Sequence, residues 1–170
     1  MTSPETGTRP LFALALATGL GVGYIPFASG TFGAAVGLLL WLALPASPAV
    51  QAGVIAVLFV VGSWSSSIAE RHFGTIDPSE VVIDEVMGML ITLFLVPVGW
   101  IGALGAFLVF RMTDVIKPYP ANRLERLTGG IGVMADDAMA AIYANLAVRL
   151  FVWSSSHLVS TDGLAGWIRN

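Results

Sequence analysis

The sequence predicts an all-α fold, a polytopic bundle of membrane helices with about five spans plus a short or re-entrant N-terminal helix. Three observations carry this expectation. Hydrophobic residues make up 56% of the 170 residues and charged ones only 11%, whereas a soluble domain carries about 25% charged residues. From Pro10 to Ala69 there is no Asp, Glu, Lys or Arg, enough chain for two or three crossings at about 20 residues each. Most of the carboxylates are gathered between Glu80 and Asp137, where they interrupt further apolar stretches. Ionised groups in such a setting are costly and mark ligands, relays or catalysts by default.

The elements follow from punctuation by Pro and Gly. Leu11 to Ile25 is apolar but short for a crossing, and it ends in the breaker-rich Pro26 to Gly30. Phe32 to Leu44 follows, closed by Pro45-Ala46-Ser47-Pro48, which cannot continue a helix. Ala49 to Ala69 has the length of a full span, and Ser63 to Ser67 near its end offers hydroxyls for packing between helices or for an interface. Val86 to Phe110 is uncharged throughout; it reads as one crossing or as a hairpin folded at Pro97-Val98-Gly99-Trp100. The hairpin, with helices of about Glu80 to Val96 and Trp100 to Lys117, is the expectation adopted, because it brings Asp84 and Glu85 to the same side as Arg111 and Asp114. Pro118-Tyr119-Pro120 ends that helix, Asn122 to Leu127 is a short basic stretch, and the flexible Gly129-Gly130-Ile131-Gly132 leads to a last helix of about Met134 to Trp153. Asp136 and Asp137 then fall in its first turn, at the positive end of the helix dipole.

A single domain over residues 1–170 is expected, with a flexible N-terminus at 1–10 and an interfacial tail at 154–170 anchored by Trp167. The opening MTSPETGTRP, with its arginine, glutamate and two prolines, disfavours a cleavable signal peptide. The loops at Pro26 to Thr31, Glu70 to Glu80 and Lys117 to Met134 are expected on one side. That side also carries Arg71, Lys117, Arg123 and Arg126, so the positive-inside rule makes it cytoplasmic. Arg149 is expected near the far interface, about 18 Å from Asp137 along the last helix at 1.5 Å per residue, with no role assigned. The net charge of −3 argues against nucleic acid, which needs cations in excess. The absence of cysteine removes disulfides, thiolate metal sites and cysteine nucleophiles.

Four clusters carry the chemistry. Ala28 to Gly33, reading ASGTFG, places small residues and the Thr31 hydroxyl at a helix start, where free N–H groups attract an anion; Gly30 and Thr31 are the phosphate-binding candidates, and an N-cap or packing role is the alternative. Asp84 and Glu85 open an apolar helix, with Gly88 permitting close approach. Adjacent helical positions point about 100° apart, so help from neighbouring helices is needed before both face one point. Arg111, Asp114 and Lys117 recur every third residue, which lays cation, anion and cation along one helical face. That row reads either as an intrahelical salt-bridge ladder or as a phosphate site, with arginine supplying a fork and lysine a point charge. Asp136 and Asp137, behind a glycine-rich turn, suit the incomplete oxygen cages that hold Mg²⁺.

Through GLGVGYIPFASGTFG, DEVMGML, FRMTDVIKPYP and GGIGVMADDAMAAIYAN, from about Gly19 to Asn145, the chain resembles the A-type phosphatidylglycerophosphatases of bacteria, small inner-membrane enzymes. It departs from that family's usual pattern at Ser29, Ala34 and Ala140-Ala141. The resemblance implies Mg²⁺-dependent hydrolysis of phosphatidylglycerophosphate to phosphatidylglycerol and inorganic phosphate, in a multi-pass protein of the bacterial inner membrane with a cytoplasmic active site. No nucleic acid and no obligate protein partner is expected. With His72 and His157 outside the clusters and no Asp-x-Asp motif, attack by a metal-activated water is the expected chemistry. Asp84, Glu85, Asp136 and Asp137 are the expected metal ligands and catalytic acids, with Asp114 a further ligand or a base. Arg111, Lys117, Thr31 and Gly30 are the expected phosphate site. The rival classes are an ion-coupled transporter with interfacial carboxylates, a phosphotransferase using a CDP-activated lipid, and an assembly protein.

Overall fold

A computed structural model provides the structure, which describes residues 8–124 and 127–158. Among these there are helices and no strand: α1 (Thr8–Ala17), a 3₁₀ turn at Val22–Tyr24, α2 (Ser29–Ala43), α3 (Pro48–Phe73), α4 (Ile83–Leu93), α5 (Trp100–Ile116), α6 (Ala121–Leu124) and α7 (Gly130–Leu158).

The polarity is inside out relative to a soluble protein. Val57, Val60 and Trp64 of α3, Ile101, Leu104 and Leu108 of α5, and Leu146, Leu150 and Phe151 of α7 are exposed, while Asp84, Asp114, Asp136 and Asp137 are buried. Carboxylates inside and large aliphatic side chains outside suit a hydrocarbon solvent.

Two helices, α3 and α7, are long and apolar enough to cross a membrane, which corrects the expectation of about five spans. The helices α1, α2, α4 and α5 have 10, 15, 11 and 17 residues, and at 1.5 Å per residue the longest is roughly 25 Å against an apolar thickness of about 30 Å. The expected hairpin between α4 and α5 is present, but α4 is shorter at both ends than the proposed Glu80 to Val96. It starts only after the Pro78 turn. It stops at Leu93, and Leu95 has a positive φ of 56°. The last helix begins at Gly130, so Gly129-Gly130-Ile131-Gly132 enters the helix itself, and Asp136 and Asp137 lie in its second turn rather than its first. Ser154 and Ser155 continue α7 where an interfacial tail was expected; residues 159–170, with Trp167, and residues 1–7 fall outside the described set.

Packing explains how so short a helix as α4 is held. On α2, Gly33 and Gly37 face it: a Cβ on Gly37 would stand 2.6 Å from the Val86 carbonyl and 2.7 Å from the Met89 Cβ, and one on Gly33 2.8 Å from Val82 Cβ. Two small residues one turn apart let the backbones approach, the usual device between helices in lipid. On its other sides α4 meets α7 and α5 through Met89, Leu93, Phe110, Ala141 and Ala144, and meets α1 and α3 through Met87, Leu14 and Ala69. Ser65 and Ser66 are fully buried, so the serine run of α3 packs between helices.

The three loops expected on one side do meet. Ser29 Oγ donates to the Ser79 carbonyl at 2.7 Å, the Gly129 N–H donates to Glu70 Oε2 at 2.9 Å, and Lys117 Nζ lies 4.0 Å from Asp77 Oδ2. Glu70 also accepts the Asp77 N–H, and Ser67 Oγ accepts the Gly130 N–H at 2.8 Å. The end of α3 thus docks both the 74–82 loop and the start of α7.

Candidate active site

Four helix ends deliver the predicted site residues. Asp84 and Glu85 open α4, Arg111 and Asp114 occupy the last turns of α5, Lys117 caps α5, Asp136 and Asp137 stand near the start of α7, and Gly30 and Thr31 open α2. The converging loop contacts bring these ends together.

One oxygen from each of Asp84, Glu85 and Asp137 lies within 4.8 Å of the other two. Asp84 Oδ1, Glu85 Oε2 and Asp137 Oδ2 are buried and have no hydrogen-bond partner. Buried polar atoms are nearly always satisfied, and unit charges at this separation repel by roughly 3 kcal/mol per pair at an effective dielectric of 20. A cation between them would relieve three ionised carboxylates facing one another, and an all-oxygen donor set suits Mg²⁺. The donors fit the expected metal. The 100° offset between Asp84 and Glu85 is overcome because Asp137 arrives from α7 to close the group.

The two remaining acids hold cations. Arg111 Nη1 is 2.5 Å from Asp114 Oδ2 and 3.8 Å from Glu85 Oε1, and the Arg111 Nε and Nη1 donors lack a well-directed hydrogen-bond acceptor. Lys117 Nζ is 2.5 Å from Asp136 Oδ2. Burial works against the Lys117 charge, but the hydrogen bond and charge of Asp136, with Asp137 and Asp77 behind it, outweigh that and push its ammonium above its ordinary value. Asp136 also accepts the Asp137 N–H at 2.9 Å. The four acids grouped in the sequence as metal ligands are thus arranged as three around one point plus Asp136 against Lys117.

The row Arg111, Asp114, Lys117 is only in part the intrahelical ladder. Arg111 and Asp114 pair along α5, whereas Lys117 turns to α7. The turn has a backbone cause. Lys117 has φ 43° and ψ 64°, the left-handed conformation that closes a helix, and its N–H reaches the Thr113 carbonyl. Glycine is the residue such a position favours, so a lysine here is held for its charge.

At the start of α2, a Cβ on Gly30 would collide with Glu85 Oε1 and stand 2.9 Å from an Arg111 nitrogen. Gly30 forms the wall of the site and leaves its backbone against the charged groups. Thr31 stands beside it, its N–H directed to the Ala28 carbonyl within the first turn.

Four further polar residues to which the sequence assigned no role support this arrangement. Glu70, at the end of α3, and Asp77, in the 74–82 loop, act as described. Arg149, expected at the far interface without a role, pairs with Asn145 at the other end of α4. The signal for that pair was present as two polar residues at i and i+4 in an otherwise apolar helix.

The family model for phosphatidylglycerophosphatase A matches residues 15–152. A Bacteroides thetaiotaomicron protein provisionally named a phosphatidylinositol-3-phosphatase is 35% identical over 85% of this chain and 97% of its own length. The Haemophilus influenzae phosphatidylglycerophosphatase A is 36% identical over 78% of this chain and 84% of its own, and that of Escherichia coli K12 is 31% identical over 75% and 76%. No solved structure matches. The matched segment contains all seven charged residues of the site and the helices that carry them, and the chain belongs to the phosphatidylglycerophosphatase A family.

Proposed function

We propose that this protein is a lipid phosphatase that hydrolyses phosphatidylglycerophosphate to phosphatidylglycerol and inorganic phosphate, with Asp84, Glu85 and Asp137 holding Mg²⁺. The observation that carries this is the coincidence of three unpartnered buried carboxylate oxygens with the unpartnered Nε donor of Arg111. Anion-seeking and cation-seeking atoms side by side suit a metal next to a phosphate. Mg²⁺, when bound, supplies the charge that acidifies a water and offsets negative charge on the phosphoryl oxygens.

The chain's own groups do the rest. Arg111, steadied by Asp114 at Nη1, presents Nε–H to the phosphoryl oxygens, and Lys117, steadied by Asp136, adds a point charge as the leaving oxygen becomes negative. The water oxygen forms the new bond to phosphorus and the phosphorus–oxygen ester bond breaks. A carboxylate of the Asp84, Glu85 and Asp137 group takes the water's proton, which passes to the departing glycerol oxygen. Gly30 keeps the mouth open for the phosphate. The acyl chains remain in the bilayer, against the exposed aliphatic surface.

Multi-pass insertion, with the site at the cytoplasmic face of a bacterial inner membrane, follows on this reading. The loop end that carries the site bears Arg71, Lys117 and Arg123, and α3 and α7 supply two crossings. The name of the Bacteroides relative favours a second headgroup, inositol 3-phosphate. Phosphate release by protein purified in detergent, from mixed micelles of phosphatidylglycerophosphate or phosphatidylinositol 3-phosphate, tests both. The expected result is Mg²⁺-dependent release from phosphatidylglycerophosphate. Faster turnover of the inositol lipid would replace the substrate, release indifferent to EDTA would overturn the metal, and no release from either would favour the ion-coupled transporter.

A further inference from the structure

The C-terminus of α4 ends inside the bundle, where its last carbonyls have no water to accept from. Asn145 of α7 meets them. Its Nδ2 donates to the carbonyls of Ile91 at 3.0 Å, Thr92 at 2.9 Å and Phe94 at 2.9 Å. Arg149, one turn further along α7, donates Nε–H to Asn145 Oδ1 at 2.7 Å and Nη2–H to the Phe94 carbonyl at 2.9 Å. The arginine therefore fixes which way the amide faces: with Oδ1 engaged by a guanidinium, Nδ2 must point at α4.

Asn145 stands eight residues beyond Asp137 on α7, about 12 Å, and Phe94 lies ten residues beyond Asp84, roughly 15 Å along α4. The two helices run in the same direction, so α4 is joined to α7 at both ends, by the facing carboxylates at one and by this pair at the other. The Gly33 and Gly37 contacts set how closely α4 approaches α2; its height and rotation against α7 are set where it meets α7. Hydrogen bonds to the carbonyls of Ile91, Thr92 and Phe94 resist a change in either.

We infer that Asn145 and Arg149 are positioning residues that set the height and rotation of α4 against α7 and so hold Asp84 and Glu85 at metal-binding distance from Asp137. This rests on the metal reading above. A merely structural pair would lower the yield of folded protein and leave the metal affinity of the folded fraction unchanged. A positioning pair alters that affinity, as loss of groups that orient metal ligands weakens binding by roughly 10- to 100-fold.

Mn²⁺ binding, read from the electron paramagnetic resonance of free Mn²⁺ against monodisperse protein in detergent, separates these outcomes without relying on turnover. Asn145→Ala is expected to bind about tenfold or more weaker than the unaltered protein. Arg149→Lys, which keeps the charge but loses the fork, is expected to move the same way by less, and it decides the matter if Asn145→Ala does not fold. Unaltered affinity in the folded variants would overturn the positioning role while leaving the metal site standing. Absence of binding by the unaltered protein would overturn the metal reading itself, and this inference with it.

Discussion

Replacing Lys117 with methionine isolates the pair that ties α5 to α7. Methionine is unbranched and only one atom shorter, so at the left-handed position of Lys117, φ 43°, the change removes the ammonium and its hydrogen bond with little loss of bulk. Asp136 is then left with a side chain only 2% exposed and its cation gone, while Lys117 itself was 18% exposed. Losing one partner of a buried pair costs 3–5 kcal/mol as a rule. The low end, about 3 kcal/mol, is expected because Asp136 keeps the Asp137 N–H and the lysine was partly solvated. Asn at 136 is milder, about 1 kcal/mol, since Lys117 retains Asp77 nearby at 4.0 Å. The double variant K117M/D136N, with no stranded charge, should also lie within about 1 kcal/mol of the unaltered protein, which makes the coupling close to 3 kcal/mol. Unfolding in mixed detergent followed by fluorescence of the five tryptophans measures stability, and phosphate release measures function. The double variant should be stable yet nearly inactive, because the charge meant for phosphate is absent. A coupling below about 0.5 kcal/mol, or recovery of activity with stability, would refute this account of Lys117.

Asp84→Asn and Asp137→Asn should each abolish Mg²⁺-dependent phosphate release from a folded, membrane-inserted protein, and turnover retained in either purified variant rejects the metal assignment. Gly30→Ala should cut kcat/KM by about 100-fold, the order expected when catalytic groups shift by about 1 Å, because the added methyl meets Glu85 and Arg111; steady-state kinetics on intact protein decide it. Arg111→Lys should lose more activity than Lys117→Arg, since only the former gives up a planar fork; equal losses would mean that Arg111 acts as a point charge. Tags near Ser47 and near Arg123 should label from opposite compartments, because the long helix α3 separates the 45–48 turn from the loop end that carries the site; labelling from one side contradicts the sidedness assigned to the site.

Much of this molecule was legible before any coordinates. The absence of charge from Pro10 to Ala69 and the sparse charge elsewhere pointed to helices with a lipid-compatible exterior, because continuous apolar runs lack the alternation of a β-barrel and a helix satisfies its own backbone in lipid. The proline and glycine breaks located α2, α3, α5 and the α4–α5 turn within a few residues. What misled was helix length. Phe94, Leu95 and Val96 are as apolar as the residues before them, so composition does not mark the end at Leu93; Pro97 limits the helix locally, and Asn145 and Arg149, more than fifty positions away, take the carbonyls it leaves unpaired. The start of α7 was misplaced for the same kind of reason, since Ser67 accepts the Gly130 N–H and makes a helix of a glycine-rich stretch.

The site divides along the same line. Sequence alone determined which groups were available, the paired acids, the two cations six residues apart with Asp114 midway and the glycine at the mouth, because these are matters of covalent chemistry and helical period. Only the tertiary structure decided that Asp84, Glu85 and Asp137 face one another while Asp136 turns to Lys117 and Asp114 to Arg111. Neighbouring carboxylates such as Asp136 and Asp137 are chemically alike; what separates their partners is the depth and rotation at which three helices pack, a property of long-range contacts that no local pattern encodes.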